Sequence, residues 1–320
     1  MRIGLLTVPL HSSPFEEALD RAVALGVTAV EIGAGGYPGS AHCPVTELLA
    51  SEERRQDYME AISSRGLILS ALSVHNNPLH PDQETARTAD SELRYAIRLA
   101  QLLGVPVVNT FSGLPAGAPQ DTVPNWVTCP WPPHFLQILE YQWNQVAIPY
   151  WQEVAPFAAE HGVKIAFEMH PGMLVYNVET MLKMRDATGP SIGCNFDPSH
   201  LFWNGADPVS AIRKLGEAIY HVHGKDCYVD PFNISVNGCN DNKPYDQIVD
   251  RAWTFRSIGY GHGTTVWKDI VSALRVAGYD YVISIEHEDA LMSGDEGLAK
   301  GVAMLQEVNI FEQPGEMFWA

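Results

Sequence analysis

Four residues of metal-ligand type close four successive apolar runs in the second half of the chain. KIAFEMHPG carries Glu168, SIGCNFDPSH carries Asp197, AIYHVHGKD carries His223 and YVISIEHED carries Glu286. Two glutamates, an aspartate and a histidine make a donor set of three oxygens and one nitrogen. That set suits Mn²⁺ and is compatible with Mg²⁺, Co²⁺ or Zn²⁺. Each residue alone has a plain alternative. A glutamate after a strand can serve a loop salt bridge, Asp197 before Pro198 can form a turn, and His221 or His223 can be a hydrogen-bonded core imidazole. The repetition over four consecutive runs is what points to one shared ion, because a buried charge is costly unless paired or metal-bound.

Sharing an ion requires a fold that brings four run ends together. Eight short apolar runs have the length of buried strands: Ile3–Thr7, Ala29–Ile32, Leu67–Val74, Val105–Phe111, Lys164–Glu168, Ser191–Asp197, Ala218–His223 and Tyr281–Glu286. Helical patterns lie between them, at Phe15–Leu25, Glu52–Arg65, Thr85–Leu103, Tyr150–His161, Val178–Thr188, Asp207–Leu215 and Val266–Ala277. Most stop at a glycine, a residue that takes the left-handed cap conformation at no steric cost. A last helix is expected over Asp295–Val308. Eight strand–helix units predict an α/β fold, a (β/α)8 TIM barrel in a single domain over residues 1–320, with long loops after strands 4 and 7. A doubly wound open sheet is the runner-up. No GxGxxG follows the first strand, and GAGGYPG after the second reads as a loop for close backbone approach. In a barrel the C-terminal strand ends form one ring, where active sites sit.

Composition narrows the partners. The chain has 320 residues, 38 acidic against 20 basic, and a formal net charge of −18. Such a surface repels phosphate backbones and anionic lipid, so neither nucleic acid nor a membrane is an expected partner. No apolar run approaches the ~20 residues a membrane helix needs, and MRIGLLTVPL reads as a first strand. The five cysteines form no CxxC pair, which makes a reducing, cytoplasmic location the default.

The motifs FEMHPG, NFDPSHLFWNGADP, HVHGKD, GYGHG and SIEHED, in this order and spacing, resemble the xylose-isomerase-like TIM-barrel superfamily of sugar phosphate isomerases and epimerases. That superfamily also holds ketose 3-epimerases, inosose dehydratase and endonuclease IV. The resemblance implies that Glu168, Asp197, His223 and Glu286 bind one divalent metal. It implies that Glu168 and Glu286 are also the catalytic proton-transfer pair, and that His200 contacts substrate oxygens. The chemistry fits those residue types. A metal chelated by a carbonyl and its neighbouring hydroxyl acidifies the adjacent C–H and stabilises the enediolate that forms. One carboxylate removes the proton and a carboxylic acid on the other face returns one. Return to the same carbon gives an epimer, return to its neighbour an isomer, and loss of a β-substituent an elimination. The ligand set serves all three. Family ketose 3-epimerases carry a further glutamate and arginine where this chain has Leu174 and Val229, so the free-ketose 3-epimerase pattern is incomplete here. Arg256 is a replacement for that arginine or a partner of surface acids.

Further candidates each carry two readings. His75 is a substrate contact or a loop histidine. Lys225 holds a substrate oxygen or pairs with Asp226 or Glu286. His170 faces the site or is structural, and His262 lies in a candidate lid. Trp126, Trp131 and Trp143 form a platform for a sugar or aglycone, or bury an interface in a homo- or hetero-oligomer. The expected activity is a metal-dependent isomerase or epimerase acting on a sugar or keto-sugar. The alternatives are a lyase that works by β-elimination on a 3-keto sugar and a non-catalytic sugar-binding or scaffold subunit.

Overall fold

The computed structural model describes residues 1–319; the single-domain reading extends to Ala320, outside the described residues. Eight of its strands pair in parallel and close on themselves. They are β1 (Arg2–Leu6), β2 (Ala29–Gly33), β3 (Ile68–Ser73), β4 (Val107–Thr110), β5 (Lys164–Glu168), β6 (Ile192–Phe196), β7 (Ile219–Gly224) and β10 (Val282–Ile285). Around the barrel the order is β1-β10-β7-β6-β5-β4-β3-β2. Closure satisfies both edges of every strand, which an open sheet cannot do. This is the (β/α)8 barrel expected from the sequence, and the open sheet is excluded.

The strands are nearly continuous apolar runs because each is covered on both faces, by helices outside and by the packed lumen inside. Two helices, Phe15–Leu25 and Val178–Thr188, have the bounds that the sequence predicts. Gly26 shows why glycines end them: its φ of 87° lies in the left-handed region, and its N–H caps the carbonyls of Ala22 and Val23. Register fixes the strand ends at one rim. Glu168 pairs with Asn195, Phe196 with Val222, and His223 with Ser284.

The two long connections contain more structure than expected. The first, which follows β4, is irregular only as far as Pro133. From His134 a helix runs to Glu140, continues through a π-helical stretch over Tyr141–Ala147, and enters the helix Ile148–Glu160. Six prolines between Ser112 and His134 precede this helix, and the last, Pro133, stands at its cap, where a missing N–H costs nothing. Burial of Gln142, Trp143 and Ala147 on one face outweighs the poorer π geometry. The second connection folds into an antiparallel pair, β8 (Asp226–Val229) with β9 (Trp253–Arg256), and a helix over Pro231–Asn237. These enclose a small core of their own around Trp203, Cys227, Trp253 and Phe255.

Trp151 is fully buried behind β5. Its ring meets Phe167 edge-on at 4.5 Å between centroids, and its Nε1–H donates to the Ser112 carbonyl at 2.9 Å. Truncating it removes apolar contact and orphans that carbonyl together. Trp151→Ala is expected to cost roughly 3–5 kcal/mol, read as a lower urea midpoint with an unchanged slope.

Candidate active site

The four residues singled out by type do converge. Glu168 ends β5, Asp197 follows β6, His223 lies near the end of β7, and Glu286 follows β10. One ligand atom from each lies within 4.8 Å of the others. His223 Nδ1 is 2.9 Å from Glu286 Oε2 and 3.3 Å from Glu168 Oε2. All four are buried except Glu286, which keeps partial exposure at the mouth of a cavity of about 390 Å³.

Neighbouring groups complete the shell. The Nε2 of His200, in the short helix Ser199–Asn204 that directly follows Asp197 and Pro198, lies 2.9 Å from Glu168 Oε1 and 3.3 Å from Asp197 Oδ2. His75 Nε2 is 3.0 Å from Glu168 Oε2. Lys225 Nζ, itself buried, stands 3.3 Å from Asp197 Oδ2, 3.1 Å from Glu286 Oε2 and 3.0 Å from Glu288 Oε2. The acids and bases tune each other. Burial alone would raise the carboxyl pKa of Glu168, but contacts from His200, His223 and His75 outweigh it and hold the group well below the usual range. Glu286 is likewise raised by burial and then brought down to about 2, chiefly by the charge of Lys225. Burial pushes His170 down to about 3, so its ring is neutral at ordinary pH. That ring packs edge-on against His200, 4.4 Å between centroids.

The donor set fits a divalent cation on the evidence of its own polar atoms. Asp197 Oδ2 and Glu286 Oε2 are buried without a hydrogen-bond partner among the described residues, although cationic neighbours lie close. Within the cluster three carboxylates meet around one imidazole with a single ammonium beside them, a set rich in negative charge that a divalent ion would balance.

One buried group went unnoticed in the sequence. Glu31 stands inside β2, fully buried, and its Oε1 and Oε2 lie 3.0 and 3.2 Å from His223 Nε2. It also accepts from Asn109 Nδ2 at 2.8 Å and from the Ser73 hydroxyl. The opposite ring nitrogen of His223 is thereby left facing the other carboxylates. A carboxylate that takes the far N–H of a metal-ligating histidine fixes its tautomer and ring orientation. The signal was a single acid inside an otherwise apolar strand, AVEIG. Its partner on β7 lies 192 residues away, and no spacing rule reaches that far.

Other candidates are dispersed. Arg256 is held by Asp289, with Nε 3.1 Å from its carboxylate, and does not line the cavity. His262 gives its Nδ1 to Asp226 at 2.9 Å and stacks on Phe202. Asp226 also accepts from the backbone N–H groups of Gly259, Gly261 and His262, so the GYGHG turn is folded around that carboxylate. The three tryptophans do not cluster: Trp143 is core, Trp131 is exposed, and Trp126 meets Tyr176. The five cysteines are free.

Because Glu31 holds His223 in place, Glu31→Gln is expected to weaken divalent-ion affinity by roughly 10–100-fold. Competition against a chromophoric chelator measures this directly, with circular dichroism as the check that the fold is intact.

Comparison with known proteins adds the family. Residues 19–308 match the model described as Xylose isomerase-like TIM barrel. The uncharacterized protein YfiH of Bacillus subtilis (strain 168) is 41% identical over 310 residues, covering 96% of this chain and 99% of YfiH. The inosose dehydratase of Geobacillus thermodenitrificans (strain NG80-2) is 25% identical over 171 residues, 52% of this chain and 55% of the relative. Among solved structures, a D-tagatose 3-epimerase-like protein shares the fold, with a TM-score of 0.63 and 20% identity over 96% of this chain and 97% of that one. No helix among the described residues is long and apolar enough to cross a membrane. With a closed eight-stranded barrel and a family match over most of its length, this chain belongs to the xylose isomerase-like TIM-barrel family.

Proposed function

We propose that this protein is a divalent-metal-dependent isomerase or epimerase that moves a proton next to the carbonyl of a sugar or keto-sugar. The observation that carries the reading is the meeting of Glu168 and Glu286 with Asp197 and His223 at the barrel mouth. Those four residues would hold the ion, and Mn²⁺ matches their three carboxylates and one imidazole. What a divalent ion supplies at such a site is charge withdrawal from a carbonyl and its neighbouring hydroxyl.

The remaining steps belong to the chain. Glu168 and Glu286 are both held ionised, so either can act as the base that takes the proton from carbon. The proton returned on the opposite face must reach that glutamate from a protonated neighbour; for Glu286 this is the Lys225 ammonium, 3.1 Å from Oε2. His200 and His75, each with Nε2 within 3.0 Å of Glu168, steady that carboxylate beside the substrate. Lys225 sits beside Glu286 and can hold a developing negative charge on oxygen. A cytoplasmic setting suits five unpaired thiols.

Elimination on a 3-keto sugar is the second reading, and the cavity favours it. Leu6, Val8, Pro9, Tyr37 and Phe111 line the same cavity as Glu286 and Lys225 and offer a berth for a departing apolar group. The partial likeness to an inosose dehydratase supports the same reading.

Incubation with Mn²⁺ and a panel of sugars and keto-sugars in D₂O separates the two. Deuterium at the carbon next to the carbonyl, with an epimer or isomer formed, is expected; loss of water or an aglycone assigns the lyase. Glu168→Gln and Glu286→Gln are each expected to lower kcat by at least about a hundredfold with an unchanged melting temperature. Near-wild-type kcat in either variant would overturn the two-glutamate mechanism.

A further inference from the structure

His200 belongs to two places at once. Its Nε2 contacts Glu168 and Asp197 in the cluster, while the same residue lines a second cavity of about 400 Å³. That cavity lies among the connections after β4, β5, β6 and β7, apart from the one holding Glu286 and Lys225. Its aromatic walls are Trp126, Tyr176 and Trp203, with Asn204 and Asn240 beside them. Trp126 meets Tyr176 edge-on at 5.6 Å, and Trp203 stacks on Trp253 at 4.7 Å and 11°.

Two features define what fits. Among the described residues the lining contains no lysine, arginine, aspartate or glutamate, so nothing there attracts a phosphate or carboxylate by charge. Three buried nitrogens of lining residues, Trp126 Nε1, Trp203 Nε1 and His200 Nδ1, have no hydrogen-bond partner among the described residues. Buried polar groups in native proteins are nearly always partnered, and an indole N–H can only donate. Flat aromatic faces and neutral amides are the chemistry that recognises a neutral, hydroxyl-bearing ring. Its C–H face packs on an indole and its hydroxyls meet the amides of Asn204 and Asn240.

We propose that this cavity is a second sugar subsite, which holds a neutral pyranose ring attached to the reacting sugar, with Trp126 as its platform. The substrate is then a glycoside or oligosaccharide with two rings, one at the carboxylate cluster and one beyond His200. This rests on the reading of the cluster as a sugar site.

The protein as purified is titrated with methyl β-D-glucopyranoside and with maltose, followed by calorimetry and by tryptophan fluorescence. Saturable binding of both is expected. Trp126→Ala should weaken it about tenfold, and Trp126→Phe, which keeps the ring but loses the N–H, should weaken it less. Glu286→Gln should bind methyl β-D-glucopyranoside as the wild type does. Absence of saturable binding, unchanged affinity in Trp126→Ala, or loss of binding in Glu286→Gln but not in Trp126→Ala would each overturn the subsite. Circular dichroism and melting of both Trp126 variants confirm that each is folded. Full turnover by Glu286→Gln would defeat the proton-transfer reading and leave this binding result standing, so the two failures are distinguishable.

Discussion

Like charges forced together out of water are the constraint around which this barrel is arranged. Glu168, Asp197 and Glu286 meet at one rim with little solvent to screen them. Carboxylates so placed must be protonated, paired or metal-bound. The protein surrounds them with His75, His200, His223 and Lys225, and these keep Glu168 and Glu286 ionised despite burial. A site held this way keeps two carboxylates charged at neutral pH.

His223 links that rim to the interior of the barrel. One ring nitrogen faces the mouth and the other meets Glu31. Below it, Asn109 bridges Glu31 and His221, and Asn195 approaches both histidines. This buried polar network spans β2, β4, β6 and β7. Such a network rigidifies a site when its members are satisfied and is costly when they are not. The aliphatic residues that surround it supply the stability, and the network supplies the orientation of one imidazole.

The long connections add the outer surroundings of the site. The first ends in a helix that packs Trp151 behind β5. The second builds β8 and β9 around a small aromatic core, and places Phe255 under the ammonium of Lys225 at 4.6 Å. Asp226 gathers the GYGHG backbone with several N–H groups. Insertions of this kind leave the barrel unchanged while shaping what reaches its mouth.

Strand and helix order, the barrel and the four-residue donor set were legible in the sequence, because each rests on local pattern: apolar runs of strand length, glycines at helix ends, and ligand types closing successive runs. The sequence also marked His75, His200 and Lys225 as candidates, since they stand a few residues from a strand end. Three things were decided by tertiary structure alone. Glu31 and His223 meet across the lumen only because the barrel closes. Arg256 is drawn to Asp289, because β9 and the loop after β10 lie side by side once folded. Trp126, Trp131 and Trp143 are near in sequence yet part company, because the helix from His134 carries Trp143 into the core and leaves Trp131 exposed. Local pattern reports what a segment can form; which distant side chains then share a volume is set by closure and packing, and no spacing along the chain encodes it.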